Sequence, residues 1–238
     1  MSEAIQAASL SMLSDLERLR SIGSNVANAS TPGFRAERTV QRVFQDALSS
    51  AASGSSNLAQ LQVLLDSKAG ALRDTGRAMD LAIDGPGYFQ IDVGGEILFS
   101  RRGDFRVDAA GRLSNEEGLP VLGEGGEIVL TGGGTDFEVD RQGAISERGQ
   151  RIGKLAIAHF GEGATLTHIS GGLYRASEGP EVSDRSTVIQ KHLEMANVDI
   201  VQESLNLVEV GRHANFIGQA IRGYDQMLDV AINELGRR

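Results

Sequence analysis

The sequence has no cysteine and no tryptophan, and aromatic residues make up only 5% of it. Without cysteine the chain has no disulfide, no thiol nucleophile and no thiolate for zinc. Sugar-binding surfaces commonly use exposed aromatic rings, so their scarcity argues against a carbohydrate-binding module. The composition therefore argues against thiol catalysis, cysteine-ligated zinc and carbohydrate binding.

Positive charge is also scarce, because 23 Lys and Arg residues stand against 32 Asp and Glu, for a formal net charge of −9. This balance argues against a nucleic-acid partner. No apolar run reaches the roughly eighteen residues that a membrane span needs, so we expect no membrane insertion. The N-terminal sequence lacks the basic and apolar regions of a signal peptide, so a secreted product would need another export route.

A long helix is predicted over residues 200–235, where apolar residues recur at alternating steps of three and four. This spacing keeps one stripe facing a partner helix. The residues beside the stripe are polar, which predicts that only one side of the helix is buried. The stripe consists of Leu207, Val210, Ala214, Ile217, Ile221, Tyr224, Leu228, Ala231 and Leu235.

The N-terminal residues have a similar spacing, with apolar positions seven apart at Ile5, Met12, Leu19 and Val26. Asp15 interrupts the pattern. We expect this helix to end near residue 28, since Pro-Gly at 32–33 forces a turn. Two such helices at the ends of one chain favour a terminal coiled-coil stalk; ordinary core helices of a globular domain are the alternative.

The chain between the helices has two parts. Residues 35–80 contain a segment compatible with strand or helix (35–47), with mildly helical apolar spacing. A low-complexity linker (49–57) and a weakly amphipathic segment (58–72) follow. Residues 81–185 combine short alternating apolar runs with frequent glycine, which predicts an all-β domain of hairpins.

The predicted β domain contains an internal repeat. Residues 105–114 (FRVDAAGRLS) match residues 137–146 (FEVDRQGAIS), and a looser copy lies at 89–97. Each copy predicts a strand, an Asp…Gly turn and a returning strand. The copies lack the alternating Asp/Asn ligands of a calcium loop, so turn formation is the better interpretation.

No motif indicates catalysis or cofactor binding. The glycine-rich segments at 85–87 and 132–135 lack the Lys-Ser/Thr and the helix of a phosphate loop. The four histidines show no HExxH pattern and no i,i+4 pair. We therefore predict no catalytic residue, no cofactor and no metal site. A glycosidase-like enzyme with paired carboxylates and a self-contained binding module are competing hypotheses, but neither has an obvious use for paired terminal heptads.

Several segments resemble the bacterial flagellar rod and hook proteins, and the resemblance covers nearly the whole chain. They are SNVAN at 24–28, TPGF at 31–34, TGRAMDLAIDGPGYF at 75–89, FSRRGDF at 99–105, residues 113–123 and ANVDIV at 196–201. The sequence departs from the family at residues 211–216 (GRHANF), where the family often has Gln-Arg-Ala-Tyr. The chain length and the ending at 228–238 are most similar to a proximal-rod subunit; a distal-rod subunit is the alternative.

This resemblance implies a structural rod subunit, exported through the flagellar type III apparatus to the periplasm and assembled with other rod subunits. It implies an α+β fold with four regions: an N-terminal coiled-coil helix and turn (1–34), a linker region (35–80), a β domain (81–185) and a C-terminal coiled-coil helix (186–238). The predicted assembly residues are Ile5, Met12, Leu19, Asn25, Val26, Asn28, Pro32, Gly33, Phe34, Leu207, Val210, Ala214, Ile217, Ile221, Tyr224, Leu228 and Leu235.

Overall fold

The structure, a computed structural model, describes residues 2–41, 61–134, 136–161, 164–181 and 186–235. It contains a helix at each end, α1 (Ser2–Ala27) and α2 (Ile200–Leu235), and a strand-rich region between them. The predicted α+β class is confirmed at this level. The linker predicted at residues 49–57 lies outside the described residues.

Local hydrogen bonds explain where the helices stop and start. α1 ends at Ala27, and the carbonyl of Asn28 then accepts the Thr31 N–H at 3.0 Å. α2 begins at Ile200 because Asp199 caps it: its Oδ1 accepts the N–H groups of residues 201 and 202 at 3.0 and 3.1 Å. Both ends agree with the sequence prediction.

The chain forms two compact units. The helical unit comprises Met1–Ala27, Glu37–Val63 and Asp199–Arg238, and the β unit comprises Asn28–Ala36 and Leu64–Val198.

Two short strands lie in the two segments at 35–47 and 58–72, the first of which the sequence left open between strand and helix. They are β1 (Glu37–Gln41) and β2 (Leu61–Leu65), which pair with each other. Asn25 holds β1 extended, because its side chain accepts the Glu37 N–H at 2.7 Å and donates to the Glu37 carbonyl at 2.9 Å. A backbone whose N–H and C=O are held this way is not free to make helical hydrogen bonds.

The strands of the β unit are antiparallel. Their bounds are β3 Leu72–Asp74, β4 Leu81–Asp84, β5 Tyr88–Val93, β6 Glu96–Ser100, β7 Arg106–Val107, β8 Leu113–Ser114, β9 Leu122–Gly123, β10 Gly126–Glu127, β11 Phe137–Val139, β12 Ala144–Glu147, β13 Gln150–Lys154, β14 Ile157–Ala158, β15 Leu166–Ser170, β16 Leu173–Ala176, β17 Thr187–Gln190 and β18 His192–Glu194. They form one five-stranded sheet in the order β14-β5-β6-β16-β15, one three-stranded sheet β11-β12-β13 and several two-stranded ladders.

The last two strands return to the beginning of the β unit. β17 pairs with β4, and β18 pairs with β3. The predicted C-terminal helical region, 186–238, therefore starts with two strands, and its helix begins only at Ile200. This pairing brings the entry and the exit of the β unit side by side.

Alternating apolar residues build the core of the β unit. In β5 the buried positions are Phe89 and Ile91, two residues apart, as expected of a strand with one face in the core. The Phe89 ring meets that of Phe105 edge to face, with centroids 5.0 Å apart. Leu113 and Ile145, the matching apolar residues of the two repeat copies, are both fully buried.

The repeat forms two equivalent turns. Asp108 Oδ1 accepts the N–H groups of Ala110 and Arg112, both at 2.8 Å. Asp140 Oδ1 does the same for residues 142 and 144, at 2.9 and 2.8 Å. The glycines at 111 and 143 have φ of 81° and 80°. Turn formation is thus confirmed, whereas the looser copy makes a tighter turn through Gly94 and Gly95.

Candidate assembly surface

Gly33 and Phe34 of the TPGF segment, both predicted to be assembly residues, lie in the interior of the β unit. The Gly33 N–H donates to the Glu194 carbonyl at 2.7 Å. A Cβ at Gly33 would lie 2.3 Å from the carbonyl carbon of Arg101, so the backbones approach too closely for a side chain. Phe34 is fully buried, and its ring meets that of His168 at 5.4 Å. Gly33 and Phe34 therefore hold the subunit's own fold.

Asn197, from the ANVDIV segment, joins three parts of the β unit. Its Oδ1 accepts the Ala36 N–H at 2.6 Å, and its Nδ2 donates to the carbonyls of Asp66 and Lys68 at 3.2 and 2.8 Å. Its backbone N–H also donates to the Phe34 carbonyl at 3.4 Å, so the two family-like segments at the ends of the β unit meet at Asn197. The spacing of the sequence alone did not indicate this contact.

A buried charge cluster lies beside these segments. Arg35 Nη2 is 2.8 Å from Glu194 Oε1, and Arg101 Nη1 is 3.5 Å from Glu194 Oε2. The Gly70 N–H also donates to Glu194, at 2.9 Å. All three charged side chains are at most 4% exposed. Neither Arg35 nor Glu194 was predicted from the sequence, although Arg35 directly follows the TPGF segment and Glu194 lies two residues before ANVDIV.

Arg101 connects this cluster to the Gly-Pro-Gly turn. Its guanidinium donates to the carbonyls of Ile83 and Gly85 at 3.0 and 2.6 Å and lies over the ring of Tyr88. Burial lowers the pKa of Arg101, and Glu194 opposes that shift. Burial likewise raises the pKa of Tyr88. These groups are bound to backbone and to each other, an arrangement that stabilises a fold.

Asn25, also a predicted assembly residue, is buried within the helical unit. Besides holding Glu37, its Nδ2 donates to Glu203 Oε1 of α2 at 2.8 Å. Asn28 and Pro32, in the turn after α1, are half-buried.

α1 and α2 pack against each other in antiparallel directions. Asp15 lies 2.7 Å from His213, whereas Asn25, later in α1, bonds Glu203, earlier in α2. Two stripe residues of α2 face this seam and are buried, Val210 and Ile217. Ala214 and Leu19 are half-buried.

Other predicted stripe residues are exposed. Met12, Val26, Leu207 and Ile221 expose 50%, 42%, 48% and 38% of their surface. The side chains of Ile5, Tyr224, Leu228 and Leu235 lie outside the described residues, although the backbone there is helical.

α2 carries a second apolar face that the sequence analysis did not predict. A helix turns about 100° per residue, so Val201, Leu205 and Val208 share one side, and Val210 lies about half a turn away. Their exposures are 71%, 60% and 52%. Phe216, near the same line, is 68% exposed. This face was not predicted because a 3-4 alternation records only one phase of the helix.

α1 has a comparable outward face. Leu13 and Leu16 expose 56% and 53% of their surface, and the buried Asp15 lies on the other side of the helix. Contiguous exposed apolar patches are a feature of surfaces that contact other molecules.

Other chemistry finds little support among the described residues. No group of three or more His, Asp and Glu is placed there to hold a metal ion. No helix in the described part of the chain is long and apolar enough to cross a membrane. A groove of about 790 Å³ in the β unit contains Lys154, which is already paired with Glu124 at 2.6 Å.

Comparison with known proteins gives a consistent result. The family described as "Flagellar hook protein FlgE/F/G D1 domain" matches residues 82–147, most of the first part of the β unit. A flagellar basal-body rod protein FlgF of Rhizobium meliloti is 34% identical over 92% of each chain. A rod protein FlgG of Bacillus subtilis is 31% identical over 91% of this chain and 92% of its own. The FlgF protein of Mesorhizobium japonicum is 30% identical over the full length of both.

The alignments with these relatives cover at least 91% of this chain, so they reach both helices as well as the β unit. This chain therefore belongs to the flagellar basal-body rod proteins, and it is a structural subunit of the bacterial flagellum and not an enzyme.

Proposed function

We propose that the chain is a subunit of the proximal rod, which joins its neighbours through the outward apolar faces of its two helices. The observation that carries assembly through these helices is the exposure of Val201, Leu205, Val208 and Phe216 on one side of α2. Such a surface is costly in water, and a large apolar side chain contributes about 1.5–3 kcal/mol when it becomes fully buried.

The α1–α2 pair would form the coiled-coil stalk of the subunit. Its antiparallel packing and the burial of Val210 and Ile217 in the seam support this proposal. Repeated stacking of identical subunits is a head-to-tail contact that does not close, which is the geometry of a filament.

The predicted assembly residues then have two different roles. The exposed ones, Met12, Val26, Leu207 and Ile221, would contact neighbouring subunits. The buried ones would set the shape of the subunit that presents this surface; they are Asn25, Gly33, Phe34, Val210 and Ile217. Ile5, Tyr224, Leu228 and Leu235 continue the stripe and remain proposed contacts.

We further propose export through the flagellar type III apparatus and assembly in the periplasm with other rod subunits. A chain without cysteine has no disulfide that would block passage in an unfolded state. In the assembled rod, burial of the exposed apolar faces by neighbouring subunits would add to the stability of the two helices.

Imaging basal bodies from a strain that lacks this protein tests the position in the rod. A proximal subunit predicts that rod growth stops near its base, and re-expression of the chain restores a full rod. A distal subunit would instead leave a short but visible proximal rod. Normal rods in the deletion strain would contradict both assignments.

A further inference from the structure

The helical unit contains a polar contact beside the apolar seam of its two helices. Asp15 interrupts the apolar pattern of α1, and His213 directly precedes the stripe residue Ala214 of α2. In the structure the two are partners: Nδ1 of His213 lies 2.7 Å from Oδ2 of Asp15. Asp15 is only 3% exposed, whereas the His213 side chain is about half exposed.

Stability alone does not explain a carboxylate at this position. A pair of apolar residues that fills a buried seam is often as stable as the ion pair or hydrogen-bonded pair it replaces. A buried carboxylate without a donor, however, is strongly unfavourable. One polar residue in a helix seam therefore selects the partner that satisfies it and disfavours the others.

The competing partner is α1 of a second copy. Leu19 and Ile22 lie four and seven residues after Asp15 and therefore on its side of α1, so the seam sides of two α1 helices have apolar residues through which they could pair. Copies stacked head to tail keep their helices in the same direction. In a parallel α1–α1 seam, in register and centred on the Asp15 side, each Asp15 would face the Asp15 of the other chain.

We propose that Asp15 is a specificity determinant of the helix pair: it directs α1 to α2, where His213 supplies the donor, and prevents α1 from pairing with α1 of another copy. The contact with His213 satisfies the carboxylate in the correct seam. The consequence for rod assembly rests on the proposed function, whereas the choice of helix partner is a property of the isolated chain.

A second polar contact on the same seam supports this assignment. About 15 Å along α1 from Asp15, the Asn25 amide donates to Glu203 at 2.8 Å. At one contact α1 supplies the acceptor, and at the other it supplies the donor. Two α1 helices aligned in parallel would bring acceptor against acceptor at position 15.

Cysteine crosslinking of the purified full-length chain tests the proposal, because the chain has no cysteine of its own. Ser11→Cys places a thiol one turn before Asp15 on the same side of α1. Under mild oxidation a disulfide-linked dimer then reports α1–α1 contact between chains. The variants Asp15→Leu, Asp15→Ala and His213→Leu are compared in this background, and far-UV circular dichroism checks that helix is retained.

We expect dimer to rise well above the parent level in both Asp15 variants and to stay at that level in His213→Leu, which keeps the carboxylate on α1. Arg20→Leu, at an exposed position of α1, is the matched control for added apolar surface and should also stay at the parent level. Asp15 variants at the parent level would overturn the proposal. An equal rise in dimer in His213→Leu would overturn it too. That result would mean that loosening the α1–α2 seam is enough to expose α1 to other chains, whether or not the Asp15 carboxylate is present.

Discussion

The guanidinium of Arg35 and the carboxylate of Glu194 lie 2.8 Å apart in the interior of the β unit, although they come from its first and last segments. Arg35 also donates its backbone N–H to the Tyr174 hydroxyl at 2.9 Å, which fixes it to the five-stranded sheet. The pair therefore closes the β unit where its chain enters and leaves.

Loss of this closure should destabilise the protein. For Glu194→Gln we expect the free energy of unfolding to fall by about 3–5 kcal/mol, because one partner's removal leaves buried charge on Arg35 and Arg101. Urea denaturation measures the change. Glu96→Gln is the matched control, since Glu96 pairs with Arg175 at 2.7 Å on the surface and both are about half exposed. Equal losses in the two variants would contradict the prediction.

Two glycines with the same backbone angle allow a test of close packing. Gly33 and Gly76 both have φ of 69°. A Cβ at Gly33 would meet the Arg101 backbone at 2.3 Å, whereas a Cβ at Gly76 would have no atom within 4 Å. Gly76→Ala should cost only the conformational penalty, about 1–2 kcal/mol. Gly33→Ala should lower the free energy of unfolding clearly more than Gly76→Ala in the same denaturation experiment. Similar losses in the two variants would show that the backbone of Gly33 does not approach Arg101 closely.

Glu147 should make stability depend on pH. Its carboxylate accepts the N–H groups of Gly132 and Gly134 at 2.9 and 3.1 Å, and these bonds, with the Gly132 bond the largest influence, lower the pKa of Glu147. A lowered folded-state pKa gives stability that is complete above the ordinary value, roughly 4.3, and is lost as the pH falls below it.

The matching experiment compares unfolding free energies of the parent chain and Glu147→Gln from pH 7 to pH 3. We expect their difference to be largest at neutral pH and to shrink on acidification. Glu138→Gln, on an exposed position of β11, serves as the control for removal of one carboxylate. A difference that stays constant with pH would count against the role of these hydrogen bonds.

Much of the fold could be predicted because it depends on local patterns. The bounds of α2 follow from a sustained 3-4 spacing and a capping aspartate, and the paired turns follow from Asp…Gly at a fixed distance. Asn115 forms a third turn of this kind: its Oδ1 accepts the N–H groups of residues 117 and 119 at 3.0 and 2.8 Å. Its Asn-x-x-Gly spacing could have predicted this turn from the sequence, although the segment is not a copy of the internal repeat.

The remaining features depend on contacts between distant residues, which no local period records. β1 is extended because Asn25 holds it, and Asp15 is tolerated in a seam because His213 supplies a donor. The assembly surface was only partly predicted for a related reason. Which of several apolar lines on a helix is buried depends on the neighbour, and in α2 the seam takes Val210 and Ile217.

Adjacent residues of α2 separate folding from assembly. Phe216 is 68% exposed and lies on the outward face, whereas Ile217 is 8% exposed and lies in the seam with α1. For Ile217→Asp we expect loss of the α1–α2 packing and a lower unfolding temperature, because a carboxylate enters an apolar seam. For Phe216→Asp we expect a change in unfolding free energy within about 0.5 kcal/mol, as is usual for surface positions.

In a strain that lacks the protein, plasmid-borne Phe216→Asp should nevertheless fail to restore swimming, because the charge blocks the face that we assign to neighbouring subunits. Thr167→Asp adds the same charge to an exposed position of β15, outside both helices, and it should restore swimming. Soft-agar spreading and images of the basal bodies give the two measurements. If Phe216→Asp swims as well as the Thr167→Asp control, the outward face of α2 is not an assembly surface, whatever its apolar character.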